Sequence, residues 1–313
     1  MIFGTPITWF IAEVLASVLF ILCIIHAAKQ EHGIIRVLTL LGFVLYSAMF
    51  ENVGVYTHIY DYNLHRVMLI GKVPIEILMV EAIIFYASIC IAEHLHIPKW
   101  GMPFAVGFLS SFQDMSLDPA AVFDLHLLDG VMSGQWNWTP HYANNFFGIP
   151  FFNFSGWMYL MAFYVFALEV GGWLFRKYKK EGFGYAYPFL AVIVAFLLLV
   201  SPLVRFLLFA EPFAPMYTRA AELIMLVVNY VVGLFVLLRY MKIDRPFDLK
   251  KNAIVYIVPI VLHLYDLIMA FALGLQNVII PVVVVSLLHF AFLAFVYFRG
   301  KKFKQPSTKP AVA

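Results

Sequence analysis

ITWFIAEVLASVLFILCIIHAA, residues 7–28, decides the fold class of this chain. As a helix rising about 1.5 Å per residue, the run is about as long as a bilayer's hydrocarbon is thick. It lacks a basic leader and a small-residue cleavage site, so it is expected to stay in the protein as a first spanning helix with no soluble domain ahead of it. The rest of the chain has the same character: 63% of residues are hydrophobic and 12% charged, with mean hydropathy +0.89. That composition excludes an ordinary soluble core and points to an all-α, polytopic integral membrane protein. Further apolar runs place helices near 34–57, 73–95, 101–117, 153–175, 186–209, 216–239, 253–273 and 277–298, about nine spans in all. Residues 1–300 read as a single transmembrane helical domain, and 301–313 as a polar cytoplasmic tail.

Basic residues follow the helix ends. Lys29, Arg36, Lys99, the run Arg176 to Lys180, the group Arg239 to Lys251 and the tail from Arg299 all fall on one face under this count. The positive-inside rule then puts the N-terminus outside and the C-terminus in the cytoplasm. The same bias accounts for the pI of 8.7, and no basic patch with stacking aromatics calls for nucleic acid. Cys23 and Cys90 are too few and too far apart for a disulfide framework and read as packing residues. No internal repeat is visible, which disfavours transporters built from duplicated halves.

Carboxylates inside such segments are costly and are usually kept for function. In SSFQDMSLDP, residues 110–119, Asp114 and Asp118 are four apart and share a helix face near its end, where Pro119 is positioned to bend the chain. On this topology Glu51, Glu76, Asp114, Asp118, Asn153 and Trp157 all fall in the outer half of the bilayer, and Glu81 lies deeper. The segment 119–150 carries Trp136, Asn137, Trp138, Tyr142 and Phe147 but no lysine or arginine, as expected of a stretch at the outer interface. Two close carboxylates in a poorly solvated site cannot both ionise cheaply, so one holds a proton and the pair reads as an acid and a base. The structural alternatives are an aromatic interface belt, Asp118 as a loop cap, and Glu51 and Glu76 as interhelical hydrogen-bonding groups. Arg205, Arg219 and Glu222 read as a buried ion pair between neighbouring helices, and His263 and Asp266, three apart, as a proton-sharing or core pair.

The order ENVGVY (51–56), Gly71-x-Val73-Pro74, QDMSLDP (113–119), WNW (136–138) and FFGIPFFNFSGW (146–157) resembles the integral-membrane carotenoid 1,2-hydratase family, whose archaeal members act in bacterioruberin synthesis. The resemblance covers residues 51–157. It implies hydration of a terminal trisubstituted alkene on an isoprenoid or carotenoid chain to a tertiary alcohol. It further implies water as co-substrate, membrane lipid as surroundings, carotenoid-pathway enzymes as partners, and no cofactor or metal. Carried over by position, it points to Glu51, Asp114, Asp118, Trp136, Trp138, Asn153 and Trp157. The chain departs from the pattern at VPIEILMVEA, residues 73–82, where Glu76 and Glu81 are added. The Pro74-x-Glu76 element is similar to the motif of small membrane lycopene cyclases, which also begin by protonating an alkene. Relatives of the hydratases that act on geranylgeranyl chains of ether lipids keep that substrate open.

The chemistry expected is cofactor-independent. A neutral carboxylic acid, Asp114 first, protonates the alkene; Asp118 or Glu51 positions water and takes its proton, and Glu76 is a further catalytic candidate. Tyr56, Trp136, Trp138 and Trp157 offer aromatic faces to the cation, each worth up to about 2 kcal/mol when desolvated. Three other readings compete. Di-iron oxygenases need clustered histidines, whereas the ten here are scattered. Membrane prenyltransferases need a second aspartate-rich motif, which is missing. A non-enzymatic lipid carrier would use the carboxylates for proton coupling.

Overall fold

The apolar runs fold as helices because a lipid-facing backbone must satisfy its own hydrogen bonds. The computed structural model describes residues 1–139 and 146–303, among which there are ten helices and six short strands. Eight helices are long and apolar enough to span: α1 (Ile7–Ala28), α2 (Gly33–Tyr56), α3 (Ile75–His94), α5 (Phe151–Tyr178), α6 (Glu181–Leu199), α8 (Arg219–Tyr240), α9 (Leu249–Ala272) and α10 (Ile279–Lys301). Between α3 and α5 runs α4 (Met102–Phe123), 22 residues long, whose Ser110, Ser111, Gln113, Asp114, Ser116 and Asp118 are all buried. A helix this polar belongs in the interior of a bundle, and α4 packs against α3, α5, α8, α9 and α10.

Three expectations change. The run read as one helix over 186–209 is two, α6 and the short α7 (Pro202–Phe209), broken at Ser201 where Pro202 opens the second. Proline lacks an N–H for the preceding turn but suits the first position of a new helix. Second, α4 does not stop at residue 117; it continues through Pro119 to Phe123, and the Gln135 N–H bonds the carbonyl of Ala121. Third, the segment after α4 is not simply an interfacial loop. It forms a hairpin, β4 (His126–Leu128) with β5 (Val131–Ser133), closed by Asp129 and Gly130 at φ 49° and 83°, the left-handed pair that a tight hairpin turn requires.

From that hairpin the chain enters β6 (Trp136–Trp138), which pairs antiparallel with β1 (Tyr60–Tyr62) from the α2–α3 connection; a second ribbon there joins β2 (Leu69–Ile70) to β3 (Val73–Pro74). The register sets Tyr60 opposite Trp138, Asp61 opposite Asn137 and Tyr62 opposite Trp136. Because side chains alternate along a strand, the four aromatic rings share one face and Asp61 and Asn137 the other. That face packs down on the helix ends with Phe151, Phe152 and Phe154. Lys29, Arg36, Lys99 and the Arg176–Lys180 run lie at the opposite end of the bundle. Tyr142 and residues 304–313 of the expected tail lie outside the described residues.

Candidate active site

Under the ribbons, the ends of α2 to α5 with α7 and α9 enclose a cavity of about 220 Å³. Its wall includes Glu51, Glu76, Glu81, Asp114, Asp118, Trp136, Trp138, Asn153 and Trp157, so nine of the ten expected site residues converge. Tyr56 does not. It is 60% exposed, with Lys72 Nζ 5.2 Å from its ring. Five helical residues turn the direction by about 140°, so a tyrosine five after Glu51 faces away from the side on which Glu51 points.

The carboxyl groups form three stations. On α4, Asp114 is 0% and Asp118 5% exposed, and the two carboxyls interact directly. One amide of α5 bridges them: Asn153 Nδ2 donates to Asp114 Oδ2 at 3.1 Å and also to Asp118 Oδ2. Helix geometry makes this possible, since residues four apart on α4 lie one turn above each other. Asp114 Oδ1 has no hydrogen-bond partner among the described residues.

The second station is the pair Glu51 and Glu81, whose carboxyls also interact directly. Ser47, one turn from Glu51 on α2, donates to Glu81, while Tyr60 and Tyr62 donate to Glu51 Oε2 at 2.8 and 2.5 Å. Burial first, then the Glu51 carboxyl, push both phenols well above the ordinary tyrosine range, so both stay hydrogen-bond donors. The strand pairing that positions them also sets Trp138 edge-on to Tyr60 at 5.0 Å and Trp136 to Tyr62 at 5.8 Å.

Glu76 sits apart from both pairs and is committed to a cation. Arg66, from the α2–α3 connection, places Nη1 2.7 Å from Glu76 Oε2 and 3.9 Å from Glu13, and Nη2 3.1 Å from Gln135 Oε1. Its guanidinium lies 4.6 Å from the centre of the Trp9 ring. Asp124, just past α4, completes this side with His126 at 3.0 Å; burial raises its carboxyl above the usual range, against the lowering pull of Thr8 and His126. Sequence reading missed Arg66, Tyr60, Tyr62 and Asp124. Asp266, read from the sequence only as a partner of His263, reaches the same cavity from α9, and the Ser116 hydroxyl bonds both groups. The expected pairing of Arg205 or Arg219 with Glu222 is not formed. Arg205 meets Glu211 at 3.3 Å, and Glu222 accepts from the Phe152 backbone N–H in the first turn of α5.

This arrangement sets proton donors and acceptors beside aromatic faces in a largely apolar cavity. No curated protein and no solved structure matches the chain. A family model described as carotenoid biosynthesis protein matches residues 12–213, a span that holds all nine of the expected site residues lining the cavity. The chain therefore belongs to the carotenoid biosynthesis protein family.

Proposed function

We propose that the cavity takes the terminal isoprene unit of an acyclic carotenoid and adds water across its end double bond, giving a tertiary alcohol. The observation that carries this is the Asp114–Asn153–Asp118 bridge, two carboxyls held by one amide inside an aromatic-walled cavity of a carotenoid biosynthesis protein. Asp114 gives its proton to the less substituted alkene carbon. The π bond breaks, a C–H bond forms, and the positive charge rests on the tertiary carbon beside Trp136, Trp138 and Trp157. Asp118 holds the water that attacks this carbon and takes its proton as the C–O bond forms. The proton count is unchanged over the cycle, so the direct Asp114–Asp118 contact closes it. Glu51 and Glu81, fixed by Ser47, Tyr60 and Tyr62, keep the water side of the cavity polar.

Glu76 has a different part in this reading. Paired with Arg66, it anchors the α2–α3 connection over the cavity and donates no proton to the substrate. The polyene enters from the lipid beside α7, which offers Val204, Leu208 and Phe209 to the cavity while Leu203 and Phe206 remain exposed. By the positive-inside rule the site faces outward and the basic end is cytoplasmic. The variants Asp114→Asn, Asp118→Asn and Glu76→Gln, matched for membrane insertion, test the assignment. The first two should lose about 10²-fold or more in turnover, the lower range for a positioned acid or base, and Glu76→Gln should keep most of it. An active Asp114→Asn enzyme would overturn the reading.

A further inference from the structure

Glu76, Asp124 and Gln135 belong to the cavity wall, and behind them a buried polar annex lies between α1, the α2–α3 connection and the start of the β4–β5 hairpin. The Arg66 guanidinium sits over the Trp9 ring, and His126 stands edge-on to the same indole at 5.3 Å. His126 Nε2 lies 2.9 Å from Thr8 Oγ1 and 3.0 Å from Asp124 Oδ1. Trp9 and the Arg66 side chain are 0% exposed and Asp124 is 1% exposed. Three polar atoms of this cluster have no hydrogen-bond partner among the described residues: Trp9 Nε1, Arg66 Nε and Asp124 Oδ2. The contacts already described use other atoms. Arg66 commits Nη1 to Glu76 and Nη2 to Gln135, and Asp124 commits Oδ1 to His126.

Two N–H donors and one carboxylate acceptor, all buried, require a ligand that both accepts and donates hydrogen bonds. A metal cation does not fit, because two of the three atoms are N–H donors and one belongs to a guanidinium. An anion does not fit beside the carboxyls of Asp124, Glu76 and Glu13. Water fits: buried polar atoms of this kind are satisfied by ordered water, which typically makes about three hydrogen bonds to them. The annex also lies between the exterior and the cavity. On its outer side the His126 side chain is 27% exposed, and on its inner side Asp124 is part of the cavity wall.

We infer that Trp9, Arg66 and Asp124 form a water-binding site that passes co-substrate water from the hairpin end of the bundle, by way of the His126–Asp124 contact, into the cavity. This rests on the hydratase reading and deepens it. The polyene fills the lipid side beside α7, so the water consumed in each turnover comes by another route, and the annex replaces the molecule that Asp118 orients. Its supply decides the fate of the cation. With water beside it the cation becomes the alcohol; without water it gives a proton back to a carboxylate and the alkene returns. Trp9 and Asp124 are positioning residues, acting on the substrate through the water they hold.

Two measurements on the full chain in lipid nanodiscs test this. In the first, a millisecond X-ray pulse generates hydroxyl radicals from water, and oxidised side chains are mapped by mass spectrometry. Radicals form where water is held, so Trp9 should be oxidised although it is fully buried, while the equally buried Phe85 should not. In the second, an acyclic carotenoid is turned over in deuterium oxide. Each cation that fails to capture water loses the original hydrogen from the carbon that took the deuteron, which leaves recovered alkene carrying deuterium. Trp9→Phe and Asp124→Leu should raise the ratio of deuterated alkene to alcohol about tenfold, the upper end of what one hydrogen bond to the water is worth. Asp124→Asn, which keeps an acceptor oxygen, should stay near the wild-type ratio. A merely structural role would lower alcohol and deuterated alkene together and leave the ratio unchanged. A wild type that forms neither product removes the hydratase reading and the delivery role with it. An active wild type whose ratio is unchanged in both variants, or a Trp9 that escapes oxidation, removes the annex alone.

Discussion

Replacing Arg66 with methionine should strand a carboxylate in the wall of the cavity. Arg66 and Glu76 are 0% and 4% exposed at the side chain and 2.7 Å apart, and Glu13 is a second acid at 3.9 Å. With an effective dielectric near 20, those separations correspond to attractions of about 6 and about 4 kcal/mol, most of which offsets the desolvation of three ions. The net worth of the pair is therefore small, but removing one partner of a buried pair costs about 3–5 kcal/mol. Arg66→Met should lose that much, read as a shifted unfolding midpoint in mixed micelles followed by circular dichroism. Adding Glu76→Gln removes the stranded charge, so the double variant should recover about 2 kcal/mol relative to Arg66→Met. It should also still hydrate substrate, because Glu76 is assigned to anchoring. A loss below about 1 kcal/mol for Arg66→Met would mean the pair behaves like a surface ion pair and would refute the argument. A stable but inactive double variant would instead return Glu76 to the chemistry.

Three other outcomes are expected. Asn153→Ala removes the amide between the two aspartates, so turnover should fall about 10²-fold while the protein still folds; unchanged kinetics would show that the bridge is incidental. Gly54→Ala builds a Cβ into the Tyr60 ring, whose Cζ would stand 2.6 Å away, and should destabilise by about 1–3 kcal/mol even though alanine favours the helix; a neutral result would show that Tyr60 moves freely. Tyr60 and Tyr62 hold their protons more tightly when folded than when unfolded, so the folded state binds more protons once pH passes the unfolded value near 10. Stability should therefore decline as pH rises beyond about 10, and less steeply in a Tyr60→Phe, Tyr62→Phe variant; equal slopes would contradict the burial of these phenols.

How much the sequence revealed depended on the range of the signal. Residues 7–28 announce α1 because length and apolarity are local, and Asp114 and Asp118 could be placed together because helical spacing is local too. The Ser201-Pro202 break was written in the chain as an extended residue before a helix-opening proline, but an apolar run on both sides masked it. Tyr56 lies close to Glu51 in the chain, but its angle around α2 turns it out of the cavity. The partnership of β1 with β6 lay out of reach for a different reason: strands of three residues, 76 positions apart by register, carry little signal beyond the aromatic, polar, aromatic pattern shared by YDY and WNW. Arg66 and Ser116 are the same case. Each looks like an ordinary loop or helix residue until the tertiary fold sets it against Glu76 or Asp266.

The most direct test is the source of the new oxygen. The purified, lipid-reconstituted protein would be incubated with an acyclic carotenoid in water enriched in oxygen-18, and the products weighed by mass spectrometry. The account predicts a carotenoid gaining one labelled water per reacting end in the wild type and none in Asp114→Asn. A product whose oxygen comes from dioxygen, a cyclised isomer without added oxygen, or labelled product from Asp114→Asn would contradict it.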